Sequence, residues 1–366
     1  MPKREMPLTY AEHLQLERLL TCQVRQSEKH GRPAHDEMLF IVVHQAYELW
    51  FKQILFELER VQAIFSGPEV DDRSLGQVVQ ALGRVVAIQK LLLQQLDVLE
   101  TMTPLDFLDF RDLLFPASGF QSLQFRLLET ALGLSRADRL KFDQRSFDER
   151  LAPEDRKRLG EAEAQPSLSD QIDAWLARTP FVSLPGYDFR EVYRQAVTEM
   201  LESEAALVRG NPALGDTEKQ AEIESLGAAR ARFDSIFDEA RHRALREEGS
   251  WHLSWQALQA ALFINLYRDE PALQLPFALL SRLMDIDETM TSWRYRHALL
   301  VQRMIGRKVG TGGSSGHEYL RRTAEQHRVF GDLFTLSTFF IPRSRLPALP
   351  EELREAMGYR YGGTGV

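Results

Sequence analysis

The stretch 38-MLFIVVHQAYELWF-51 decides how this chain is read. Phe40, His44, Tyr47 and Phe51 stand at i−4, i, i+3 and i+7, the spacing that gathers side chains on one face of an α-helix, and Leu55 and Leu58 extend the stripe. A single imidazole inside that stripe faces a core, a pocket or a partner. The same 3.6-residue period recurs along almost the whole chain and two-residue alternation is scarce, so the expected fold class is all-α.

The pattern predicts helices over 9–28, 36–65, 74–102, 120–133, 167–178, 188–209, 216–246, 253–268, 276–305 and 317–336. Pro104, Pro116, Pro180, Pro185, Pro212 and Pro271 fall in the gaps, and Pro276 is expected to open a helix, where its missing N–H does least harm. Residues 135–166 are charged and poor in apolar periodicity, which suggests a solvent-facing excursion within one domain spanning 1–366. Internal repeats and low-complexity tracts are absent.

Composition narrows the function. The 366 residues are 44% hydrophobic, enough for a sizeable buried core. Net charge is −8 with both signs interspersed, so no basic tract suits a nucleic-acid backbone. One cysteine, Cys22, excludes an intramolecular disulfide framework and fits a reducing, cytoplasmic setting. The N-terminus MPKREMPLTYAEHLQLE is too polar for a signal peptide, and no apolar run is long enough to predict a membrane span.

The nine histidines form no HExxH or CxxCH motif or close metal-binding pair. Two stand alone on apolar faces: His44, and His297 among Met290, Trp293, Leu300 and Met304. Each is either a core histidine with satisfied nitrogens or a pocket ligand; two on separate long helices also fit a b-type haem pocket. Arg111 is either a solvated charge among Asp106, Asp109 and Asp112 or, four residues from Phe107, a guanidinium held beside an apolar wall to take a carboxylate. Glu48 and Lys52 read as a helix-stabilising i,i+4 pair. The loop 310-GTGGSSG-316 is either a connector or a closing lid in which Thr311 offers a hydroxyl.

Five stretches occur in order: LTYAEHLQLERLL, HDEMLFIVVHQAYELWFKQILFELERV, LETMTPLDFLDFRDLLFPASGFQSLQFRLLE, LMDIDETMTSWRYRHALLVQRMIG and KVGTGGSSGHEYLRRTA. Together they closely resemble the tryptophan 2,3-dioxygenase family from about residue 8 to about residue 343, least through 135–230 and the C-terminal tail. The resemblance implies an all-helical protein assembling as a homotetramer, a dimer of dimers. It implies haem b, ferrous in the active state, and insertion of O₂ into L-tryptophan to give N-formyl-L-kynurenine.

By the same resemblance His297 matches the axial ligand of the haem iron, Trp293 the tryptophan beside it, and Tyr319 a contact to a propionate. His44 matches the distal histidine at the indole N–H, an orienting group rather than an obligate base, and Phe40, Ile41, Val42 and Val43 the substrate-binding segment leading to it. Phe107 and Arg111 match the group gripping the substrate carboxylate, and Thr311 the residue that, with a propionate, receives the ammonium. Residues 8–30 are expected to pack on a neighbouring subunit, whose pocket Tyr10 would enter; His13 stands where the family usually has a second tyrosine, and the SSGH at 314–317 where SSGY is usual. Alternatives at this point are a dioxygenase of a substituted tryptophan or other indole, a haem protein that binds O₂ without turnover, and a purely structural helical assembly.

Overall fold

The computed structural model describes residues 7–139, 151–306 and 316–358, with side chains in the last stretch from Tyr319 onward. Three short helices open the chain: α1 (Tyr10–Leu14), α2 (Leu16–Thr21) and α3 (Gln26–Lys29). They replace the continuous helix expected over 9–28, which breaks at Gln15 in the left-handed region, φ 51°. The physical reason is support: α1 and α2 bury none of their own side chains, and helices this short are not stable on local propensity.

The long elements follow. They are α4 (Glu37–Phe65), α5 (Asp72–Leu99), α6 (Pro104–Arg111), α7 (Leu123–Leu132), α8 (Pro153–Glu163), α9 (Leu168–Leu176) and α10 (Phe189–Gly210). After them come α11 (Asp216–Phe237), α12 (Glu239–Glu247), α13 (Trp255–Leu266), α14 (Pro271–Ile305), α15 (Gly316–Gln326), α16 (Gly331–Thr335) and α17 (Glu351–Ala356). A two-stranded antiparallel hairpin pairs Ser183 with Asp188 and Leu184 with Tyr187. Its turn uses Pro185 to fix one φ and Gly186, at φ 83°, to take the conformation other residues avoid.

Two boundaries differ from the periodic reading for identifiable reasons. Pro271, not Pro276, occupies the first turn of α14, and Pro276 lies inside the helix, where it lacks an N–H to donate. The single helix expected over 216–246 is cut at Asp238, whose carboxylate accepts the Arg241 amide at 3.0 Å and so caps α12.

The core runs between α4, α5, α13 and α14. Ile54 and Leu58 of α4, Leu82 and Val85 of α5, and Leu279 and Leu283 of α14 are wholly buried, and each such side chain stabilises the fold by roughly 1.5–3 kcal/mol over leaving it exposed. Helix α13 is buried from Ala257 to Ile264 and apolar there except for Gln259, whose amide donates to the Ile236 carbonyl at 2.5 Å. Polar ties set the helices in register. Arg84 of α5 meets Glu57 of α4 at 2.6 Å, and Arg296 of α14 meets Asp97 of α5 at 2.7 Å. Buried Asp287 of α14 accepts the Val329 and Phe330 amides at 3.1 and 2.7 Å, which fastens the chain leaving α15 to the helix that carries His297.

Helix α8 lies within the charged stretch 135–166. Its Leu159, with Leu151, closes a small cluster against Leu123, so the stretch needs few apolar residues. Among the described residues, no helix is long and apolar enough to cross a membrane.

Candidate active site

Phe40, His44, Tyr47 and Phe51, the apolar stripe of α4, form one wall of a cavity of about 350 Å³. His297, Trp293, Leu300 and Met304 of α14 form another, and Phe107 and Arg111 of α6 line it as well. The two isolated histidines therefore come together.

His44 has one nitrogen already assigned. Its Nδ1 lies 2.7 Å from the Phe40 carbonyl oxygen, which only accepts, so Nδ1 carries the proton and Nε2 is left as an acceptor. His44 keeps solvent exposure where it faces the open cavity, with protein packed close around the ring. That burial lowers its pKa, with the Phe40 bond and the Glu48 carboxylate offsetting part of the shift, and the imidazole is neutral at pH 7. Phe40 covers it at 4.0 Å between ring centroids.

His297 is also neutral. Burial, with His44 nearby, pushes its pKa down to about 4, so its lone pair is not lost to a proton. Trp293, one turn earlier on α14, stacks on it at 5.1 Å and 24°. The indole is itself fixed: its N–H donates to the Tyr47 hydroxyl at 3.4 Å, and that hydroxyl donates to the Leu92 carbonyl at 2.7 Å. Burial pushes the Tyr47 pKa up to about 12, which keeps the phenol a donor.

Helix α6 is short but well begun. Pro104 occupies its first turn and a Thr103–Asp106 capping box closes its N-terminus. Phe110 is fully buried behind it, and Phe107 meets Phe40 at 5.7 Å and Phe110 edge-on at 5.5 Å. Arg111, the last residue of α6, stands beside this aromatic wall, at the helix end whose dipole favours a cation.

One end of the cavity is strongly polar. Glu129 of α7 is buried, yet it receives Arg126 at 2.8 Å and Arg294 at 2.9 Å, with Arg139 and His327 each 3.9 Å away. Burial alone would raise its pKa; Arg126, His327, Arg294 and Arg139 together outweigh that and hold the carboxyl well below the usual carboxylate range. Arg294 also donates to the His327 carbonyl at 2.7 Å and sits one turn before His297. Tyr319 of α15 joins the same end, its ring edge-on to Phe120 at 5.5 Å.

A family model described as Tryptophan 2,3-dioxygenase matches residues 2–340. The chain belongs to the tryptophan 2,3-dioxygenase family. A tryptophan 2,3-dioxygenase of Bdellovibrio bacteriovorus is 50% identical over 355 residues, 97% of this chain and 99% of that relative. One from Alteromonas mediterranea is 49% identical over 359 residues, covering 98% and 99%. One from Xenopus laevis is 47% identical over 344 residues, covering 93% of this chain and 84% of the relative.

Phe40, His44, Phe107, Arg111, Trp293, His297 and Tyr319 all line the cavity. Between Phe40 and His44 the helix turns away: Val43 is buried in the core, Val42 is exposed on the outer face, and Ile41 is not part of the lining. Periodicity explains this, because only positions 40, 44, 47, 48 and 51 of α4 share the cavity face. Tyr10 and His13 are exposed on α1 and do not reach this chain's own cavity. Thr311 and the loop 310–315 lie outside the described residues.

Sequence reasoning missed Ser118, Gly119, Arg126, Glu129 and Arg294, all in the lining. The i,i+3 spacing of Arg126 and Glu129, and of Arg294 and His297, was a visible signal. Glu48 was misread: it turns from Lys52 into the cavity wall, where it accepts the Ser122 hydroxyl at 2.6 Å and the Gln124 amide at 2.8 Å.

The donor set fits a haem. Among the described residues no group of three His, Cys, Asp or Glu side chains could hold a metal ion, and an iron whose other ligands come with a porphyrin asks for a single imidazole such as His297. The walls around that imidazole are aromatic and aliphatic.

Proposed function

We propose that this dioxygenase binds haem b through His297, ferrous in the active state, and inserts both atoms of O₂ across the C2–C3 bond of the indole of L-tryptophan, giving N-formyl-L-kynurenine. The observation that carries the reading is the pairing of two neutral imidazoles from α4 and α14 across one apolar cavity whose wall also holds Phe107 and Arg111. When bound, the haem supplies the site at which O₂ is taken up and activated.

The chain's own residues supply position. His44 offers Nε2 as an acceptor, which suits the indole N–H and orients the ring without removing a proton. Phe40 and Phe107 bound the indole. Arg111 takes the carboxylate through two parallel N–H···O bonds, and Thr311 with a propionate takes the ammonium. Trp293, held through Tyr47, fixes the plane of the His297 ring, and Tyr319 at the polar end serves a propionate. An indole lacking either charge forgoes one of these contacts and is disfavoured. A protein that only bound O₂ would have no use for the Arg111 grip.

The same reading takes the chain as one haem domain in a cytoplasmic homotetramer, a dimer of dimers, with no nucleic-acid or membrane partner. Support for assembly comes from α1 and α2, where Tyr10, Leu14, Leu19 and Leu20 are exposed although apolar. Such a leucine-rich segment without a core of its own suits cover by another copy, with Tyr10 and His13 entering that copy's pocket.

Replacing His44 tests the role given to it. His44→Ala is expected to raise the KM for L-tryptophan roughly tenfold, the value of one buried hydrogen bond, while keeping measurable turnover and full haem content. Complete loss of turnover with haem and tryptophan still bound would make His44 an obligate base instead.

A further inference from the structure

Glu48 lines the cavity one turn beyond His44 and plays no part in the reading above. Its two carboxylate oxygens are engaged: Oε1 accepts the Ser122 hydroxyl at 2.6 Å and Oε2 accepts the Gln124 amide at 2.8 Å. The same Gln124 amide reaches the Glu48 main-chain oxygen at 2.8 Å. Ser122 Oγ in turn accepts the Phe125 amide at 3.2 Å and caps α7. One acidic side chain on the His44 helix thus fixes the start of α7.

What precedes Ser122 is a single 3₁₀ turn, Gly119–Gln121, and it carries Ser118, Gly119 and Phe120 into the cavity wall. Its internal bonds are local: the Ser118 amide donates to Gln121 Oε1 at 3.0 Å, and the Gln121 amide to the Ser118 carbonyl at 2.9 Å. A turn of this length does not set its own position. Its anchor on the α4 side is the charge-assisted pair of bonds to Glu48. On the other side Phe120 meets Tyr319 of α15 at 5.5 Å.

We propose that Glu48 is a positioning residue for substrate recognition: through Ser122 and Gln124 it holds the 118–122 turn at a fixed place relative to His44. The proposal rests on reading this cavity as the tryptophan pocket. It assigns the Glu48 carboxylate a geometric task, distinct from acting through its charge on His44.

Three variants of the haem-loaded protein separate these roles. Glu48→Ala removes both carboxylate bonds and leaves the Gln124 bond to the main-chain oxygen; Glu48→Gln keeps one acceptor oxygen but no charge; Gln124→Met keeps the charge and the α7 cap and removes the Gln124 bonds to the carboxylate and the main-chain oxygen. The readouts are the L-tryptophan Kd from the haem absorption change, the haem content, and hydrogen exchange of peptides covering residues 117–122. The expected result is unchanged haem content with a Kd raised about tenfold in Glu48→Ala and about threefold in the other two, and with exchange at 117–122 quickening in the same order. Glu48→Gln as weak as Glu48→Ala beside a wild-type Gln124→Met would show that charge, not position, is at work and overturn the proposal. So would a wild-type Kd in Glu48→Ala despite faster exchange. Should Glu48→Ala fail to fold, a weakened Glu48→Gln beside a wild-type Gln124→Met would overturn the proposal, and weakening shared by both would support it. If the unaltered protein shows no tryptophan-dependent absorption change, the proposed substrate fails, and unchanged exchange at 117–122 in every variant would separately refute the tie to Glu48.

Discussion

His297→Ala is expected to yield a folded, helical protein that purifies without a Soret band. His297 is neutral, with a pKa of about 4, and it is oriented by the Trp293 ring stacked on it at 5.1 Å. Among the described residues no cluster of metal-binding side chains stands ready to replace it. On the proposed reading, removing the imidazole takes the protein ligand from the iron and leaves only the cavity walls and the propionate contacts to hold the porphyrin. The backbone consequences are small, since alanine is a better helix former than histidine in α14. Free imidazole added to the variant should restore part of the Soret absorption by filling the space left behind. A variant carrying full haem occupancy without added imidazole would refute the axial assignment.

Glu129→Ala is the second change with a large expected effect, and it acts on stability. Glu129 is 2% exposed and neutralises Arg126 and Arg294, both also buried. Removing one partner of a buried ion pair costs roughly 3–5 kcal/mol, because the Arg126 and Arg294 guanidiniums then lose the carboxylate they share. For a chain of this length that lowers Tm by roughly 5 °C in a thermal melt. Glu129→Gln, which keeps the shape and an acceptor, should cost less. The pH dependence follows from the sign of the shift. The folded carboxyl has a pKa well below its unfolded value, so its stabilisation is complete at neutral pH. It begins to fade below the unfolded value of roughly 4.3 and is lost only as pH falls through the folded value. The gap in Tm between wild type and Glu129→Ala should therefore be constant from pH 7 to 5 and narrow below pH 4. Equal melting of the two proteins at pH 7 would show that the cluster contributes no net stability.

How far the sequence could be read depended on whether a relation was local. His44 with Phe40, Tyr47 and Phe51, His297 with Trp293 and Met304, and Phe107 with Arg111 are each within one or two helical turns. Periodicity placed every one of these sets on a single face, and the cavity confirms the faces. Glu48 shows the opposite case. Its i,i+4 neighbour Lys52 was the local expectation, but its partners are Ser122 and Gln124, 74 and 76 positions away, and only packing of α7 on α4 brings them together. Arg294 and Glu129 are 165 positions apart, so neither helix pattern reveals their pairing. Val42 and Val43 were grouped with Phe40 and His44 as one segment, although helical geometry sends them to other faces. The break at Gln15 reflects missing burial in α1 and α2 rather than any helix-breaking residue.

The central claim is that one cavity joins His44, His297 and Arg111 into a tryptophan-oxidising site. The most direct measurement mixes the reduced, haem-loaded protein with L-tryptophan under anaerobic conditions, admits O₂, and follows the Soret band together with the near-ultraviolet absorption of N-formylkynurenine. Repeated formation of N-formylkynurenine without added reductant is the predicted result. A normal haem spectrum that responds to L-tryptophan and O₂ but yields no product would contradict it.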